Sequence, residues 1–261
     1  MQFLTGHVLN QFLVFVLVLA RVSGLVMLAP VWGAGTVPAR VRAFLAIGLS
    51  LIVTPLVCTT SVPLPENAAR LAMLLGCEFA LGLSLGLAVM IFFAGLQIAG
   101  QLAGQMTGMS LAETASPSFD SNIPVFGELL NLLVLAIFVV TGGHHQLLDA
   151  LFQAFQQMPP GHVRFSPSLV DALTEVTAYS FRVGLQVSLP LMLALLLSIL
   201  VMGLISRTLP QLNVLAVGFS VNSVVMLAAL LLSLGILSRV FQEEALVALD
   251  IIRPVYYSPT P

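Results

Sequence analysis

Apolar residues run through this chain in blocks of membrane-spanning length, separated by short polar breaks and by one long polar stretch at mid-chain. A hydrocarbon core about 30 Å thick requires about 20 consecutive, mostly apolar residues in a helix. That ruler gives six candidate segments, at residues 8–31, 41–57, 71–100, 125–141, 176–206 and 212–237. The second and fourth are short for a span. The pattern predicts an all-α, polytopic membrane protein of about six hydrophobic helices arranged as kinked helical hairpins. Proline supplies the kinks. Pro190 falls inside the fifth segment and cannot donate to the carbonyl of Gln186, while Pro30, Pro55 and Pro210 punctuate the ends or near-ends of other segments.

Three ionisable residues lie inside these blocks: Arg21, Glu78 and Arg182. An arginine at the centre of a span costs about 2.5 to 3.5 kcal/mol on the insertion scale, and roughly ten Leu, Val or Phe residues outweigh it. A passive anchor has no use for such residues, so they are expected to be buried charges paired with polar groups on neighbouring helices or subunits. Arg21 with Glu78 is an attractive pair within the chain. Composition agrees with the membrane class: 59% of the 261 residues are hydrophobic, 8% are charged and the mean hydropathy is +1.07, against roughly 25% charged residues in a soluble domain. All nine basic residues are arginines and the net charge is −2, so no polybasic arm for nucleic acid or anionic lipid is present. Arg40, Arg42 and Arg207 fall on one side of the segments and Arg70, Arg164, Arg239 and Arg253 on the other. This near balance assigns no orientation, and points to helices that need not cross the bilayer as ordinary spans. The N-terminus lacks a positive n-region and its apolar run is too long for a signal peptide, so the first helix is expected to be retained.

The stretch Gly95 to Gly108 reads GLQIAGQLAGQMTG. Gly100, Gly104 and Gly108 recur every four residues and would stack along one helix face, admitting another backbone closely. Gln97, Gln101 and Gln105 recur with the same period on an adjacent face, either bonding across a helix contact or lining a wet path. Directly after them comes MSLAETASPSFDSNIP, which holds Glu113 and Asp120 and no basic residue. A segment this polar must sit outside lipid or in a protein-lined cavity, and long structureless loops tend to be functional or disordered. Met106, Met109 and Phe119 bracket it with side chains able to fill irregular apolar gaps.

Catalytic patterns carry little. Gly82-Leu83-Ser84-Leu85-Gly86 fits G-x-S-x-G, but it lies mid-helix instead of at a strand-to-helix elbow, and no histidine follows His162 to serve as base. Gly82 and Gly86 read instead as an ordinary GxxxG face. His144 and His145 are adjacent, about 100° apart on a helix, and cannot readily share a metal. Cys58 and Cys77 lack metal or disulfide spacing and read as small core residues. Catalytic, cofactor-binding and metal-ligating residues are therefore all expected to be none. Residues 146–158 place Leu147, Leu148, Leu151, Phe152 and Phe155 at amphipathic spacing, before a Met158-Pro159-Pro160-Gly161 stop.

Four stretches in order, ARVSGLVMLAPVWGAGTVPARVRAFLAIGLSLIVTP, GLQIAGQLAGQMTG with its polar loop, GGHHQLLDALFQAFQQMPPG, and GLISRTLPQLNVLAVGFSVN, resemble the FliR family of flagellar export-gate proteins, whose injectisome relatives are called SctT. The likeness runs from about Leu19 to about Phe241; the tail RPVYYSPTP carries none of it.

The resemblance implies a non-enzymatic subunit of a type III protein export gate, without cofactor, in the bacterial inner membrane and flagellar basal body. It implies assembly with FliP and FliQ homologues, with FlhB and FlhA homologues as further neighbours, around unfolded substrates in transit. It also implies a chain equivalent to one FliP-like region, 1–165, followed by a FliQ-like hairpin and tail, 166–261. The family's plug loop corresponds to residues 106–122 and its PQLNV element to Pro210, Gln211, Leu212, Asn213 and Val214. Energy would come from the proton-motive force and a cytoplasmic ATPase. The alternatives are an injectisome SctT-type subunit and a proton-coupled secondary transporter, for which the two halves show only a loose echo between SGLVMLAP and MGLISRTLP.

Overall fold

The computed structural model describes residues 2–33, 37–57, 62, 64–108, 125–162, 168–209 and 214–256, with side chains described in these stretches except at 2–7, 125–126, 168, 214–216, 241–242, 244–246, 248–250 and 252–256. All regular structure among the described residues is helical: α1 (Gln2–Leu28), α2 (Pro30–Gly33), α3 (Ala39–Val57), α4 (Ala68–Met106), α5 (Val125–Val140), α6 (Gly143–Gln157), α7 (Ser168–Thr208) and α8 (Val214–Tyr256). Five of them are long and apolar enough to cross a membrane, in α1, α3, α4, α7 and α8. The fourth expected span is the exception: α5 has only 16 residues, and a bend separates it from α6, so the two make at most one broken span. The bend falls at Gly142, whose φ of 76° is left-handed and readily available only to glycine. The prolines act less sharply than expected, since α3 continues through Pro55 and α7 through Pro190.

Helices α4, α7 and α8 have 39, 41 and 43 residues, hence lengths of about 58, 61 and 64 Å at 1.5 Å per residue. Each is about twice the thickness of the hydrocarbon core. Only part of each can lie in lipid, and the remainder must meet protein or water.

By contacts the chain forms two compact units. The first comprises 1–91, 142–176 and 246–261. In it α1 packs along α3, with α2 closing the turn beyond Ala29 and α6 resting on α3. Val14, Leu17, Val18, Val22 and Leu25 form the buried stripe of α1, and Leu81, Leu85 and Ala88 that of α4, at the three- and four-residue spacing of a helical face. Apolar burial gives little net drive between helices in lipid, where close packing matters more, and glycine supplies it. A Cβ on Gly24 would overlap the Phe79 carbonyl, one on Gly82 the Arg21 carbonyl, and one on Gly86 would stand 2.9 Å from Leu28 Cβ. The order of these contacts makes α1 and this part of α4 parallel. The G-x-S-x-G stretch is thus a helix contact, as its mid-helix position predicts.

The second unit comprises 92–141 and 177–245. Here Phe92, Leu96, Ala99 and Ala103 continue the buried stripe of α4. Against it α5 runs antiparallel, with the Phe93 and Phe138 rings edge to face at 5.3 Å. At one crossing of α4 and α7, a Cβ on Gly95 would overlap the Ser180 carbonyl and one on Gly184 the Gly95 carbonyl. Helices α7 and α8 form a hairpin stapled by Ser198 Oγ donating to Asn222 Oδ1 at 2.7 Å, which gives the oxygen of this buried amide a donor.

Candidate functional site

Two polar features interrupt this apolar packing, one in each unit. In the first unit, Arg21 lies on the buried stripe of α1, one turn from Leu17 and Leu25, and Glu78 lies three residues before Leu81 on that of α4. Both side chains are fully buried, and Arg21 Nε donates to Glu78 Oε2 at 2.6 Å. Arg21 Nη1 also donates to the carbonyl of Ala154 near the end of α6 at 3.0 Å, and the guanidinium carbon stands 4.2 Å from the centre of the Phe155 ring. The second carboxylate oxygen, Glu78 Oε1, accepts the backbone N–H of Gly161 at 2.8 Å. Gly161 has φ +84°, and a Cβ there would come within 2.9 Å of Val62 Cγ1.

This node joins α1, α4, the last turns of α6 and the turn at Pro159-Pro160-Gly161. A buried charge pair stabilises only when its geometry is good and its remaining hydrogen-bonding capacity is met. Here both carboxylate oxygens are engaged by protein donors. The group ties these chain segments together.

In the second unit, the glutamines at the end of α4 divide. Gln97 Nε2 donates across to Asn131 Oδ1 on α5 at 2.7 Å, whereas Gln101 and Gln105 are exposed and Met106 is half-buried. Gly100 makes the expected close contact, since a Cβ there would stand 3.0 Å from Leu130 Cβ and 3.3 Å from Gly127 Cα. Gly104 is buried, and its carbonyl accepts the Thr107 hydroxyl at 2.6 Å.

Gly108 departs from the expected stack. Helix α4 ends at Met106, and the last turn tightens through Thr107 N–H to Gly104 O and Gly108 N–H to Gln105 O, each at 3.2 Å. Gly108 then takes φ +82°, with nothing within 4 Å of a would-be Cβ. It is a helix terminator in the left-handed conformation, not a packing residue. Arg182, unlike Arg21, is not buried within the chain. It is exposed on the chain, because the buried stripe of α7 runs through Ser180, Val183, Val187 and Leu191 and residue 182 faces away from it. Met109, Glu113, Phe119 and Asp120, with the rest of the expected plug loop beyond Gly108, lie outside the described residues, as do Cys58 and Pro210, Gln211 and Asn213.

Several participants carry no sequence signal of their own. Gly24, Ala154 and Asn131 are ordinary residues for their helices, and only the fold brings them to Gly82, Arg21 and Gln97. Gly161 is readable as a turn after two prolines, but not as a donor to Glu78. The amphipathic spacing of α6 does predict its buried face: Leu147, Leu151 and Phe155 are buried, joined by Ala150 and Ala154.

Residues 12–246 match the family described as bacterial export proteins, family 1. Among similar proteins, the flagellar biosynthetic protein FliR of Escherichia coli K12 is 31% identical over 201 residues, covering 77% of this chain and 76% of that protein. The FliR of Caulobacter vibrioides is 28% identical over 241 residues, covering 92% and 96%. That of Bacillus subtilis is 27% identical over 258 residues, covering 95% and 96%. With a match that takes in both helical units and the Arg21–Glu78 node, this polytopic helical chain belongs to family 1 of the bacterial export proteins.

Proposed function

We propose that the chain is a non-enzymatic core subunit of the flagellar type III export gate, placed in the inner membrane at the flagellar basal body. In this reading it assembles with FliP and FliQ homologues, and beside FlhB and FlhA homologues, into the conduit through which unfolded flagellar proteins leave the cell. Residues 1–165 act as the FliP-like region and 166–261 as the FliQ-like hairpin and tail. The observation that carries the proposal is the family match over 12–246, shared with relatives named flagellar biosynthetic protein along nearly their whole length. The geometry is compatible with it. A fixed polar clamp at Arg21 and Glu78 suits a scaffold, and α4 delivers two exposed glutamines and a terminating glycine directly before the polar stretch.

Residues 106–122 are assigned as the closure element of that conduit. The stretch has acidic and hydroxyl residues but no Arg or Lys, so it lacks cationic anchors of its own and is held by weak contacts that an arriving substrate can displace. Deleting residues 110–121 should leave co-purification with the FliP and FliQ homologues intact while making the membrane leaky to ions. A deletion complex that assembles normally and adds no conductance would overturn the closure assignment. Failure of the intact chain to co-purify with those homologues would overturn the gate assignment.

A further inference from the structure

The outward stripe of α7 is chemically mixed. Phe181, Leu185, Leu189, Leu193, Leu196, Leu200 and Leu204 are exposed along it, and Arg182 and Gln186 are exposed among the first of them. No ion pair to Arg182 is found among the described residues. Neither available solvent suits this half of the stripe. Water does not stabilise a contiguous exposed row of Phe and Leu, and lipid tails offer a guanidinium and a carboxamide no partners. The length of α7 sharpens the point. Residues 187–206 form an apolar run of bilayer length without a charge, long enough to span by itself and leave the preceding part of the helix outside the hydrocarbon. There the apolar side chains still ask for cover.

A protein surface satisfies both demands. We propose that the face of α7 around Phe181, Arg182, Leu185, Gln186 and Leu189 docks an apolar helix of another subunit that carries an aspartate or glutamate opposite Arg182. This partner is argued from charge complementarity, and it rests on the reading of the chain as a subunit of a hetero-oligomeric gate. The fork of the guanidinium takes a carboxylate through two parallel bonds, Gln186 one turn on can donate to a backbone carbonyl, and the flanking leucines exclude water from the pair.

The experiment uses the full chain co-expressed with the FliP and FliQ homologues and purified as the complex. A photo-reactive phenylalanine replaces Phe181, and the linked product is mapped by mass spectrometry. Separately, Arg182→Glu is compared with wild type for partner recovery, then combined with Arg at the mapped acidic position. The expected result is a link to a subunit peptide with an Asp or Glu within one helical turn. With it should come a fall of about thirtyfold or more in recovery for Arg182→Glu, and restoration by the reciprocal change. Links to phospholipid alone, a linked peptide without a carboxylate, or undiminished recovery of Arg182→Glu would each overturn the docking face while leaving the gate assignment standing. If the wild-type chain recovers no partner subunit, the gate assignment fails and the docking face with it.

Discussion

Removing one charge from the Arg21–Glu78 node should be worse than removing both. The pair is wholly enclosed, and taking away one partner of a buried ion pair leaves an uncompensated charge at a cost of about 3 to 5 kcal/mol. Glu78→Ala also strands the Gly161 N–H, worth about 1 to 3 kcal/mol, and Arg21→Ala also loses the contact with the Phe155 ring, worth about 2 kcal/mol when desolvated. Against a typical total stability of about 5 to 15 kcal/mol, either single change removes about a quarter or more. Arg21→Met combined with Glu78→Leu fills the space with apolar atoms, and such replacements are often close to neutral. What remains is chiefly the orphaned Gly161 N–H, about 1 to 3 kcal/mol. The check is thermal unfolding of the purified chain in one detergent. At roughly 2 to 4 °C per kcal/mol for a chain of this size, the single variants should melt about 8 to 32 °C below wild type and the double variant about 2 to 12 °C below it. Single variants within about 2 °C of wild type, or a double variant whose loss equals the sum of the singles, would refute the reasoning, because additivity means the two groups do not interact.

The glycines give three further tests on the same assay. Gly82→Ala should destabilise clearly, since its Cβ would overlap the Arg21 carbonyl, while Gly48→Ala on α3, with nothing within 4 Å, should be neutral or stabilise by about 0.5 to 1 kcal/mol; equal effects would deny that α1 and α4 approach closely. Gly100→Ala should be mild and Gly100→Leu severe, because the neighbouring Leu130 can give by a few tenths of an ångström but cannot admit an isobutyl group; similar melting for both would mean the α4–α5 contact is not close. Gly161→Ala should lose about 1 to 3 kcal/mol from its left-handed backbone, plus its clash with Val62, and unchanged melting would show that the turn is not held as described.

Charge type was legible in the sequence; phase was not. Arg21 and Arg182 look alike there, each a lone arginine in an apolar helix, and the same argument makes both buried. The structure separates them by rotation: Arg21 lies on the stripe of Leu17, Val18 and Leu25, whereas Arg182 lies opposite that of Ser180, Val183 and Val187. In a soluble helix a polar face would reveal that rotation. Here leucine suits lipid and protein equally, so both sides of α7 read the same until small or polar residues mark one. Where such marks exist the reading succeeds, as with Gly82 and Gly86 facing α1, Gly100 facing α5 and the buried face of α6. It fails where local chemistry competes: the four-residue period ran on to Gly108, but the helix ends at Met106 and the glycine is spent on the stop. A charge in an all-apolar helix therefore does not say by itself whether a partner lies inside the chain. Arg21 finds its carboxylate 57 residues along the same chain. Arg182, turned outward among leucines, meets none among the described residues, and the docking face proposed above supplies one from another subunit.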